Sequence, residues 1–374
     1  MATLASIVLQ FSKYQGLGND FLILDGRLSP RDQNDLGLTP ERIQRLCERR
    51  FGVGADGVIL ALPARGEGEL RMRIFNADGS EPEMCGNGIR CLARFLADSD
   101  GDPAGRRWQI ETLAGRIVPE LRQDGTIRVD MGVPFLEPAA IPTTLELGPA
   151  GVAQGCLEIA GSQFEVGSVG MGNPHVVIPV ADVAAVDLER FGAALELHPA
   201  FPARTNVHFV QVLSPSHLVM RVWERGAGPT LACGTGACAT LVVAHRFGLA
   251  DRIARLDLPG GSLEIEWDGQ TDHLFMTGPA LAVFDGVVTP ELWGSSHGEP
   301  SPKAAEVDCA SACVQGCIKP EACASADARA RVQAMLEANS LDDLVALASN
   351  SLESRILARI AKEPGSAEGQ DNFD

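Results

Sequence analysis

No stretch of this sequence approaches the roughly 18 consecutive apolar residues that a membrane-spanning helix needs, so an integral membrane protein is not expected. The first ten residues also lack a basic residue before their short apolar stretch, and they lack a small-residue cleavage context. A secretory signal peptide is therefore not expected, and a cytoplasmic or stromal compartment is predicted.

Positive charge is scarce as well. The 31 Lys and Arg residues are outnumbered by 49 Asp and Glu residues, which gives a formal net charge of −18. A negative field of this size repels phosphate backbones and anionic lipid, so neither nucleic acid nor a membrane surface is an expected partner. A small zwitterionic ligand remains compatible with it, because a local Arg outweighs distant charges.

Cysteine is not abundant enough to indicate a disulfide scaffold. Ten cysteines are few for a chain of 374 residues, and no secretory signal accompanies them. We expect free thiols, most of them packed as small apolar residues. That packing role is predicted for Cys47, Cys91, Cys156 and Cys238.

An internal duplication is the strongest organisational signal in the chain. Four marks recur in the same order, and Asn19 precedes Cys85 by 66 residues as Asn173 precedes Cys233 by 60. The matched segments are Gly16-Leu17-Gly18-Asn19 with Gly170-Met171-Gly172-Asn173, Val53-Gly54-Ala55-Asp56 with Arg204-Thr205-Asn206, Cys85-Gly86-Asn87-Gly88 with Cys233-Gly234-Thr235-Gly236, and the strand-like runs Trp108 to Leu121 with Arg255 to Trp267.

The local patterns predict short, closely spaced strands and few helices. Strands are expected at Phe21 to Leu24, Val58 to Leu62, Leu70 to Phe75, Ile127 to Met131, Val176 to Val180, His208 to Val212 and Leu218 to Glu224. Helices are expected at Thr39 to Arg49, Ile89 to Asp98 and Ala237 to Phe247. This pattern favours two similar units with one largely buried helix per sheet over a doubly wound parallel sheet.

The predicted fold class is α/β of the α+β type, with two pseudo-symmetric domains and a C-terminal helical extension. Each domain is expected to be a curved mixed β-sheet wrapped around a central helix. The predicted boundaries are 1–132 for the first half, with 280–288 returning to it, 133–279 for the second half, and 289–374 for a linker and extension.

Both duplicated cysteines stand at a Gly-rich turn that opens into a helix. The helix dipole and the unpaired N–H groups at such a position are expected to lower a thiol pKa from about 8.5 towards neutrality, which suits a general acid or base. The glycines let backbone N–H groups approach a substrate carboxylate and stabilise enolate-like charge when a Cα proton leaves. Two facing thiols match the symmetry of an inversion, so Cys85 and Cys233 are the predicted acid/base pair.

The motifs together resemble diaminopimelate epimerase, from about Phe11 to Val288. The resemblance is carried by Gly16-Leu17-Gly18-Asn19-Asp20-Phe21, Phe75-Asn76-Ala77-Asp78-Gly79-Ser80, Cys85-Gly86-Asn87-Gly88, Gly172-Asn173-Pro174-His175, Glu224-Arg225-Gly226-Ala227-Gly228 and Ala232-Cys233-Gly234-Thr235-Gly236. It implies reversible conversion of LL-2,6-diaminopimelate to the meso form, in lysine and peptidoglycan precursor synthesis, without a cofactor or metal, by a homodimer.

The resemblance also implies roles for individual residues. Cys85 and Cys233 are implied as the catalytic pair, and His175 as a residue that orders the site. Asp56 occupies a position where family members carry Gln. The implied substrate-binding residues are Asn19, Asp56, Asn76, Gly86, Asn87, Asn173, Asn206, Glu224, Arg225, Gly234 and Thr235.

Other interpretations of the same residues stay open. Each cysteine taken singly is more typical of a buried structural thiol, Asn19 and Asn173 are typical turn residues, and Glu224 with Arg225 is compatible with an ordinary surface pair. A proline or hydroxyproline racemase is the rival enzyme. A non-catalytic thiol or metal-binding protein is the rival from another class.

The residues beyond Thr289 depart from the resemblance. A segment rich in Ser, Gly, Pro and Ala predicts a linker, and the spacing of apolar residues from Ser340 to Ile360 predicts a helix capped by Ser340. A metal or iron–sulfur site is an alternative to packing for the cysteines of this extension, although no Cys-x-x-Cys pair is present. These cysteines are Cys309, Cys313, Cys317 and Cys323.

Overall fold

The computed structural model describes residues 9–28, 36–83 and 85–293. Residues 8–288 form one compact unit, and Thr289 belongs to a second unit, of which the short helix Pro290–Trp293 is described. The predicted helical extension and its four cysteines lie outside the described residues.

In the described residues, eighteen strands and five helices follow one another along the chain. The strands are β1 Leu9–Gly16, β2 Asn19–Asp25, β3 Gly57–Pro63, β4 Leu70–Asn76, β5 Ile110–Thr112, β6 Gly115–Ile117, β7 Glu120–Leu121, β8 Ile127–Gly132, β9 Ala153–Ile159, β10 Ser162–Gly170, β11 Pro174–Pro179, β12 Asn206–Ser214, β13 His217–Glu224, β14 Gly228–Thr230, β15 Ile253–Leu258, β16 Gly261–Trp267, β17 Leu274–Gly278 and β18 Leu281–Val288. The helices are α1 Pro40–Cys47, α2 Gly86–Asp100, α3 Leu188–Glu196, α4 Gly234–Arg246 and α5 Pro290–Trp293, with a 3-10 turn at Pro138–Ala140.

These strands form two mixed sheets. The first runs β18-β1-β2-β3-β4-β5-β6, with parallel pairs β2/β3 and β4/β5. The second runs β7-β8-β17-β16-β15-β13-β12-β11-β10-β9, with parallel pairs β11/β12 and β13/β15 and with β14 added to β13. The α+β class predicted from the sequence is confirmed. Strands β7 and β8 pair into the second sheet, whereas the last strand returns to the first.

Two buried helices each have an apolar core. Helix α2 packs with Ile23 and Ile59 of the first sheet and with Ile127 of β8, and nearly every side chain of α4 is buried, Leu241 and Val243 among them. Full burial of such a side chain is worth about 1.5–3 kcal/mol. The hydrophobic effect therefore holds both helices against their sheets, in the arrangement predicted from their apolar sequences.

The two helices begin earlier than their apolar patterns indicate. Helix α2 starts at Gly86 and α4 at Gly234, directly after the two cysteines, because the glycine-containing first turns are helical although they carry little apolar surface. Helix α3 was not predicted. It begins at the cap Asp187, whose side chain accepts a hydrogen bond from the Arg190 N–H.

Tight turns explain the Gly-x-Gly-Asn repeats. The β1–β2 hairpin turns at Leu17 and Gly18, both with positive φ, and Asn19 then begins β2 opposite Gly16. Gly172 has φ +85° in the matching turn before β11. A left-handed conformation suits glycine best, so each turn leads into its Asn at the start of the following strand: Asn19 is the first residue of β2, and Asn173 directly precedes β11.

Candidate active site

Cys85 and Cys233 are the N-cap residues of α2 and α4. Both have extended backbone angles, φ −136° and ψ 119° for Cys85 and φ −130° and ψ 108° for Cys233. Neither side chain caps its helix. Cys85 is partly exposed and Cys233 is buried. Each thiol therefore stands where the first N–H groups of a helix have no partner within the helix.

The two helices meet at their N-termini. A Cβ built on Gly86 would lie 3.9 Å from the Gly234 Cα, and one built on Gly234 would lie 3.8 Å from the Gly86 Cα. The Met276 side chain lies beneath both, 3.0 Å from the first of these positions and 2.9 Å from the second. A side chain on either residue would press on the Met276 thioether and fill the gap between the two helix starts, so glycine at both places suits the close approach.

Asn19 is the hub of the Cys85 side of the site. Its Oδ1 lies 3.9 Å from the Cys85 Sγ and accepts a hydrogen bond from the Asn87 Nδ2 at 3.2 Å. Its Nδ2 donates to the Asp56 Oδ2 at 2.8 Å. The Asn87 Nδ2 also reaches the carbonyl of Ala232, beside Cys233, at 3.4 Å. Four of the predicted residues are thus brought together, and one of them bridges to the second half.

Glu224 and Thr235 flank Cys233. The Cys233 Sγ lies 3.6 Å from the Thr235 Oγ1, and Glu224 shares a hydrogen bond with the Cys233 thiol. Glu224 Oε1 also accepts from the Thr230 hydroxyl at 2.6 Å. Burial raises the pKa of Glu224, while its hydrogen bonds with Thr230 and Cys233 oppose that rise.

The thiol pKa values move opposite to the sequence-based expectation. Burial raises the pKa of Cys85, although hydrogen bonds from the N–H groups of Gly88 and Asn87 lower it. Burial raises the pKa of Cys233 well above its ordinary value, and the charges of Glu224 and Cys85 add to the rise. The expectation of near-neutral thiols was therefore wrong for the free protein, because desolvation outweighs the helix N-termini.

Asn173 and His175 form a second hydrogen-bonded group. The His175 Nε2 pairs with the Asn173 Oδ1 at 2.8 Å, and its Nδ1 pairs with the His208 Nε2 at 2.8 Å. Burial lowers the pKa of His175 far below its ordinary value and lowers the pKa of His208 to about 3. Both rings are therefore neutral near pH 7, so each has one donor and one acceptor nitrogen, and the tautomer decides which is which.

Asn206 and Arg225 lie next to this group. Asn206 is buried, and it pairs with His175 across the parallel β11/β12 register. Its Nδ2 donates to the Pro174 carbonyl at 2.9 Å, and its Oδ1 accepts from the Arg225 N–H at 3.0 Å. The Arg225 guanidinium is exposed and donates to the Ala203 carbonyl at 3.1 Å. Asn206 thereby holds the backbone that carries Arg225.

Asn76 lies at the end of β4, in register with Gly57 and therefore next to Asp56. Its Nδ2 donates to the Ser80 hydroxyl at 3.0 Å, inside a tight turn. Among the contacts of the described residues, none joins Asn76 to either cysteine. It belongs to the rim of the Cys85 side rather than to its centre.

Sequence reasoning missed three residues that contact this site: Arg90, His208 and Met276. Arg90 is a charge in an apolar helix one turn after Asn87, which was an available signal. His208 and Met276 alternate with other apolar or polar residues along their strands, and no sequence pattern distinguishes them from packing residues. His208 Nδ1 is buried with no hydrogen-bond partner within the described part of the chain.

The cysteines assigned to packing fall into two groups. Cys47, Cys91 and Cys238 are buried, and burial raises the pKa of each to about 12. Cys156 is exposed on β9, so its predicted packing role was wrong. The sequence segment around it alternates polar and apolar residues, which does not show which strand face is covered.

In the described ranges, no helix is long and apolar enough to cross a membrane. No cluster of three or more His, Cys, Asp or Glu side chains in residues 9–28, 36–83 and 85–293 has the arrangement of a metal site.

The sequence matches known proteins over most of its length. A family model described as diaminopimelate epimerase matches residues 11–136 and 167–283. Diaminopimelate epimerase of Prochlorococcus marinus is 57% identical over 297 residues, which are 79% of this chain and 98% of the relative. The Synechococcus elongatus protein of the same name is 56% identical over 278 residues, 74% of this chain and 97% of the relative.

More distant solved structures share the fold. A hydroxyproline epimerase from Agrobacterium vitis aligns with a TM-score of 0.56 at 15% identity, covering 77% of this chain and 92% of its own. A probable proline racemase from Agrobacterium radiobacter aligns with a TM-score of 0.54 at 17% identity, covering 77% of this chain and 98% of its own. At these identities the likeness shows a common fold.

Proposed function

Because the chain belongs to the diaminopimelate epimerase family and is therefore an isomerase, we propose that it interconverts LL-2,6-diaminopimelate and meso-diaminopimelate. The proposed reaction uses no cofactor. One of the two thiols, Cys85 or Cys233, acts as a thiolate base and the other as a thiol acid.

The observation that carries this proposal is the meeting, at Gly86 and Gly234, of two helices that each begin directly after a cysteine. An inversion needs a base on one face of the reacting carbon and an acid on the other. The first N–H groups of both helices converge on the same region, where a carboxylate would be held by the positive ends of two dipoles. The proposed carboxylate contacts are therefore Gly86, Asn87, Gly234 and Thr235.

The reaction then proceeds by two proton transfers, one on each face of the reacting carbon. The thiolate removes the Cα proton and becomes a thiol, while the electron pair left on carbon spreads into the carboxylate, where the helix N–H groups stabilise it. The opposite thiol donates its proton to the other face and becomes the thiolate. The two sulfur atoms exchange protonation states in each turnover, so the reverse reaction uses the same groups.

The electrostatics support one thiolate and one thiol at a time. A charge on Cys85 raises the pKa of Cys233, since two negative charges in a buried site repel. Loss of a first proton thus makes loss of the second harder. A second thiolate is therefore disfavoured once the first has formed, so the pair carries at most one negative charge, as a two-base inversion requires.

The rest of the substrate would be bound by polar groups around the cysteines. Arg225 offers a guanidinium to the distal carboxylate, and Glu224 offers a carboxylate to an ammonium group. We propose that His175 orders the site through its hydrogen bond to Asn173. The remaining proposed ligands are Asn19, Asn76, Asn173 and Asn206.

The decisive experiment follows deuterium incorporation and inversion of LL-diaminopimelate in deuterated, reducing buffer. Wild-type protein should do both. Cys85→Ala and Cys233→Ala should each lower inversion by about 10²–10⁴-fold, the usual contribution of a general acid or base. If either variant exchanges the Cα proton of one stereoisomer for deuterium without inverting it, the thiol that remains is the base that removes the proton from that stereoisomer.

Matched controls come from the same helices. Cys91→Ala and Cys238→Ala remove thiols that are buried one to two turns further along, and both should keep nearly full activity if they fold. Proline and hydroxyproline are tested in parallel. Exchange with proline but not with diaminopimelate would contradict the proposed substrate and leave the two-thiol mechanism standing.

Three further properties belong to the same proposal: a cytoplasmic location, the division into halves at 132/133 with 280–288 returning, and a homodimer. Strand β18 is an edge of the first sheet and exposes Leu281, Val283, Phe284 and Val287. An exposed apolar edge strand favours association with another chain. Light scattering of the full chain at micromolar concentration distinguishes a dimer from a monomer.

A further inference from the structure

Arg90 is a buried charge beside the proposed active site. Its side chain is fully buried in α2. The guanidinium donates to the Asn87 Oδ1 at 2.8 Å, to the Gly86 carbonyl at 3.1 Å and to the Pro279 carbonyl at 3.4 Å, and it lies 3.3 Å from the Met276 Sδ. Within the described residues it pairs with no carboxylate. Burying a guanidinium costs desolvation free energy, so its hydrogen bonds must have a role that offsets this cost.

These hydrogen bonds begin a chain that ends at Asp56. Arg90 donates to Asn87, Asn87 donates to the Asn19 Oδ1, and the Asn19 Nδ2 donates to the Asp56 Oδ2. The same Asp56 oxygen accepts from the Asp20 N–H at 3.1 Å. The other Asp56 oxygen accepts from Arg49 at 2.7 Å. Both oxygens of Asp56 are thus occupied within the protein.

The ends of the chain determine its direction. Arginine has only donors and an ionised carboxylate has only acceptors, whereas a carboxamide has both and can be turned either way. With Arg90 at one end, Asn87 must present its oxygen to Arg90 and its NH₂ to Asn19. With Asp56 at the other end, Asn19 must present its NH₂ outward and its oxygen inward, towards Cys85 and Asn87.

We propose that Arg90 and Asp56 are positioning residues, the donor and acceptor ends of one hydrogen-bond chain that sets the amide orientation of Asn87 and Asn19 beside Cys85. This inference rests on the proposed function for its consequence in catalysis. It assigns Asp56 to orienting Asn19 rather than to contact with substrate. The Asn19 oxygen is thereby kept as the acceptor for the Cys85 thiol, 3.9 Å away.

A hydrogen-bond chain whose two ends each impose the same direction responds differently to single and to double mutation. If one end becomes ambivalent, the other end still imposes the direction on both amides. If both ends become ambivalent, the only contact among the described residues that still opposes inversion of Asn87 is its long 3.4 Å bond to the Ala232 carbonyl, so the amides can invert. Two changes in residues that do not touch each other should therefore be more damaging together than the product of their single effects. Direct attraction between the two charges would have the opposite result and make the double variant milder than that product.

The test is a double-mutant cycle in the full-length protein. Arg90→Gln and Asp56→Asn each replace a one-way group by a carboxamide of similar size, and kcat/KM for diaminopimelate is measured for wild type, both single variants and the double variant. Residues in one hydrogen-bond network couple well beyond experimental error. We expect the double variant to fall at least about fivefold below the product of the single effects. Arg90→Met replaces the Gln variant if the latter does not fold.

Two control cycles isolate the donor end. Arg90→Lys keeps a donor-only group, so its combination with Asp56→Asn should be multiplicative. Arg94→Gln alters the next arginine of α2, which pairs with Asp98, and its combination with Asp56→Asn should also be multiplicative. A multiplicative Arg90→Gln/Asp56→Asn pair, or equal coupling in the Arg94 cycle, would overturn the proposal.

A second readout does not depend on the substrate. The alkylation rate of Cys85 by iodoacetamide is followed by peptide mass spectrometry in the same four proteins. Inversion of Asn19 would turn its NH₂ towards the sulfur, which favours the thiolate and accelerates alkylation. If alkylation of the double variant is accelerated beyond the product of the single effects, the result supports the proposed hydrogen-bond chain even if diaminopimelate is not turned over. Alkylation rates that are simply multiplicative contradict it even if turnover is normal.

Discussion

The internal duplication offers a matched pair of glycine substitutions in the third residue of each central helix. Gly88 in α2 and Gly236 in α4 follow their cysteines at the same spacing. Alanine is favoured over glycine inside a helix by about 1 kcal/mol, so both substitutions would be stabilising on propensity alone. Their surroundings differ, and that difference decides the outcome.

At Gly236 the new Cβ would meet a rigid ring. It would lie 2.2 Å from the Cε1 and 2.7 Å from the Nε2 of His208, and the ring is held by its bond to His175. Displacing it costs about 1–3 kcal/mol for overpacking and about 1–3 kcal/mol for a buried polar group left unpaired. After the helix gain, we expect Gly236→Ala to destabilise by about 1–5 kcal/mol.

At Gly88 the new Cβ would meet only the ends of flexible side chains. The nearest are the Ile74 Cδ1 at 2.7 Å, the Ile59 Cδ1 at 3.3 Å and the Met72 Cε at 3.4 Å. These groups relax by small rotamer changes, so the overpacking cost lies near the lower limit of about 1 kcal/mol. It is roughly offset by the gain in helix propensity.

Unfolding in guanidinium chloride compares the stability of the two variants with that of wild type, provided that the free energy of unfolding falls with denaturant at the same slope in all three. Gly236→Ala should have the lower midpoint, and adding His208→Ala should recover part of the loss because it removes the clashing ring. Equal midpoints for the two glycine variants, or a cost for Gly236→Ala that is simply additive with that of His208→Ala, would refute the steric reasoning.

Three other predictions follow from the site and the family match. Burial lowers the pKa of His208 to about 3, against a value near 6.5 in the unfolded chain, so between these two pH values unfolding takes up a proton. The contribution of His208 to the free energy of unfolding is therefore complete above pH 6.5 and declines as the pH falls towards 3. The unfolding midpoint of His208→Gln should decline less steeply over this range. Oxidation should join Cys85 to Cys233 and abolish activity until reductant is added, whereas full activity of oxidised protein would contradict the pairing. Deletion after Gly298, beyond the matched residues 11–136 and 167–283, should leave most of the activity intact, and a truncated chain that cannot fold would show that the extension is needed by the rest.

The features that recur in both halves could be predicted from the sequence, whereas features that depend on which other residues pack around a position could not. The cysteine, glycine and asparagine marks recur because each half needs the same turn and the same helix start. Helix α3 escaped notice because Gly192 lies in its middle and argues against a helix. The structure shows the reason for that glycine: a Cβ there would lie 2.8 Å from the Trp223 side chain.

Burial explains the other differences. A helix N-terminus is visible in a sequence, but the partner that buries it is not, and the direction of the Cys85 and Cys233 pKa shifts depends on that partner. Arg90 was passed over for the same reason. Its charge in an apolar helix was a signal, but the contact with Asn87 is what shows that Arg90 belongs to the site.

The two halves orient their equivalent asparagines by different chemistry. Asn19 lies between residues whose charges make them one-way donors or acceptors, whereas Asn173 bonds to a pair of neutral histidines. In the second group, the direction depends on the tautomer of His175: when its Nε2 carries the proton, the ring donates to the Asn173 Oδ1 and accepts from the His208 Nε2. Because burial lowers the pKa of both rings, that of His208 to about 3, both stay neutral around pH 7 and no change of protonation disturbs this pattern there. Burial thus gives the second asparagine neutral partners whose hydrogen-bonding roles are set by a tautomer, where the first belongs to a chain that ends in a guanidinium and a carboxylate.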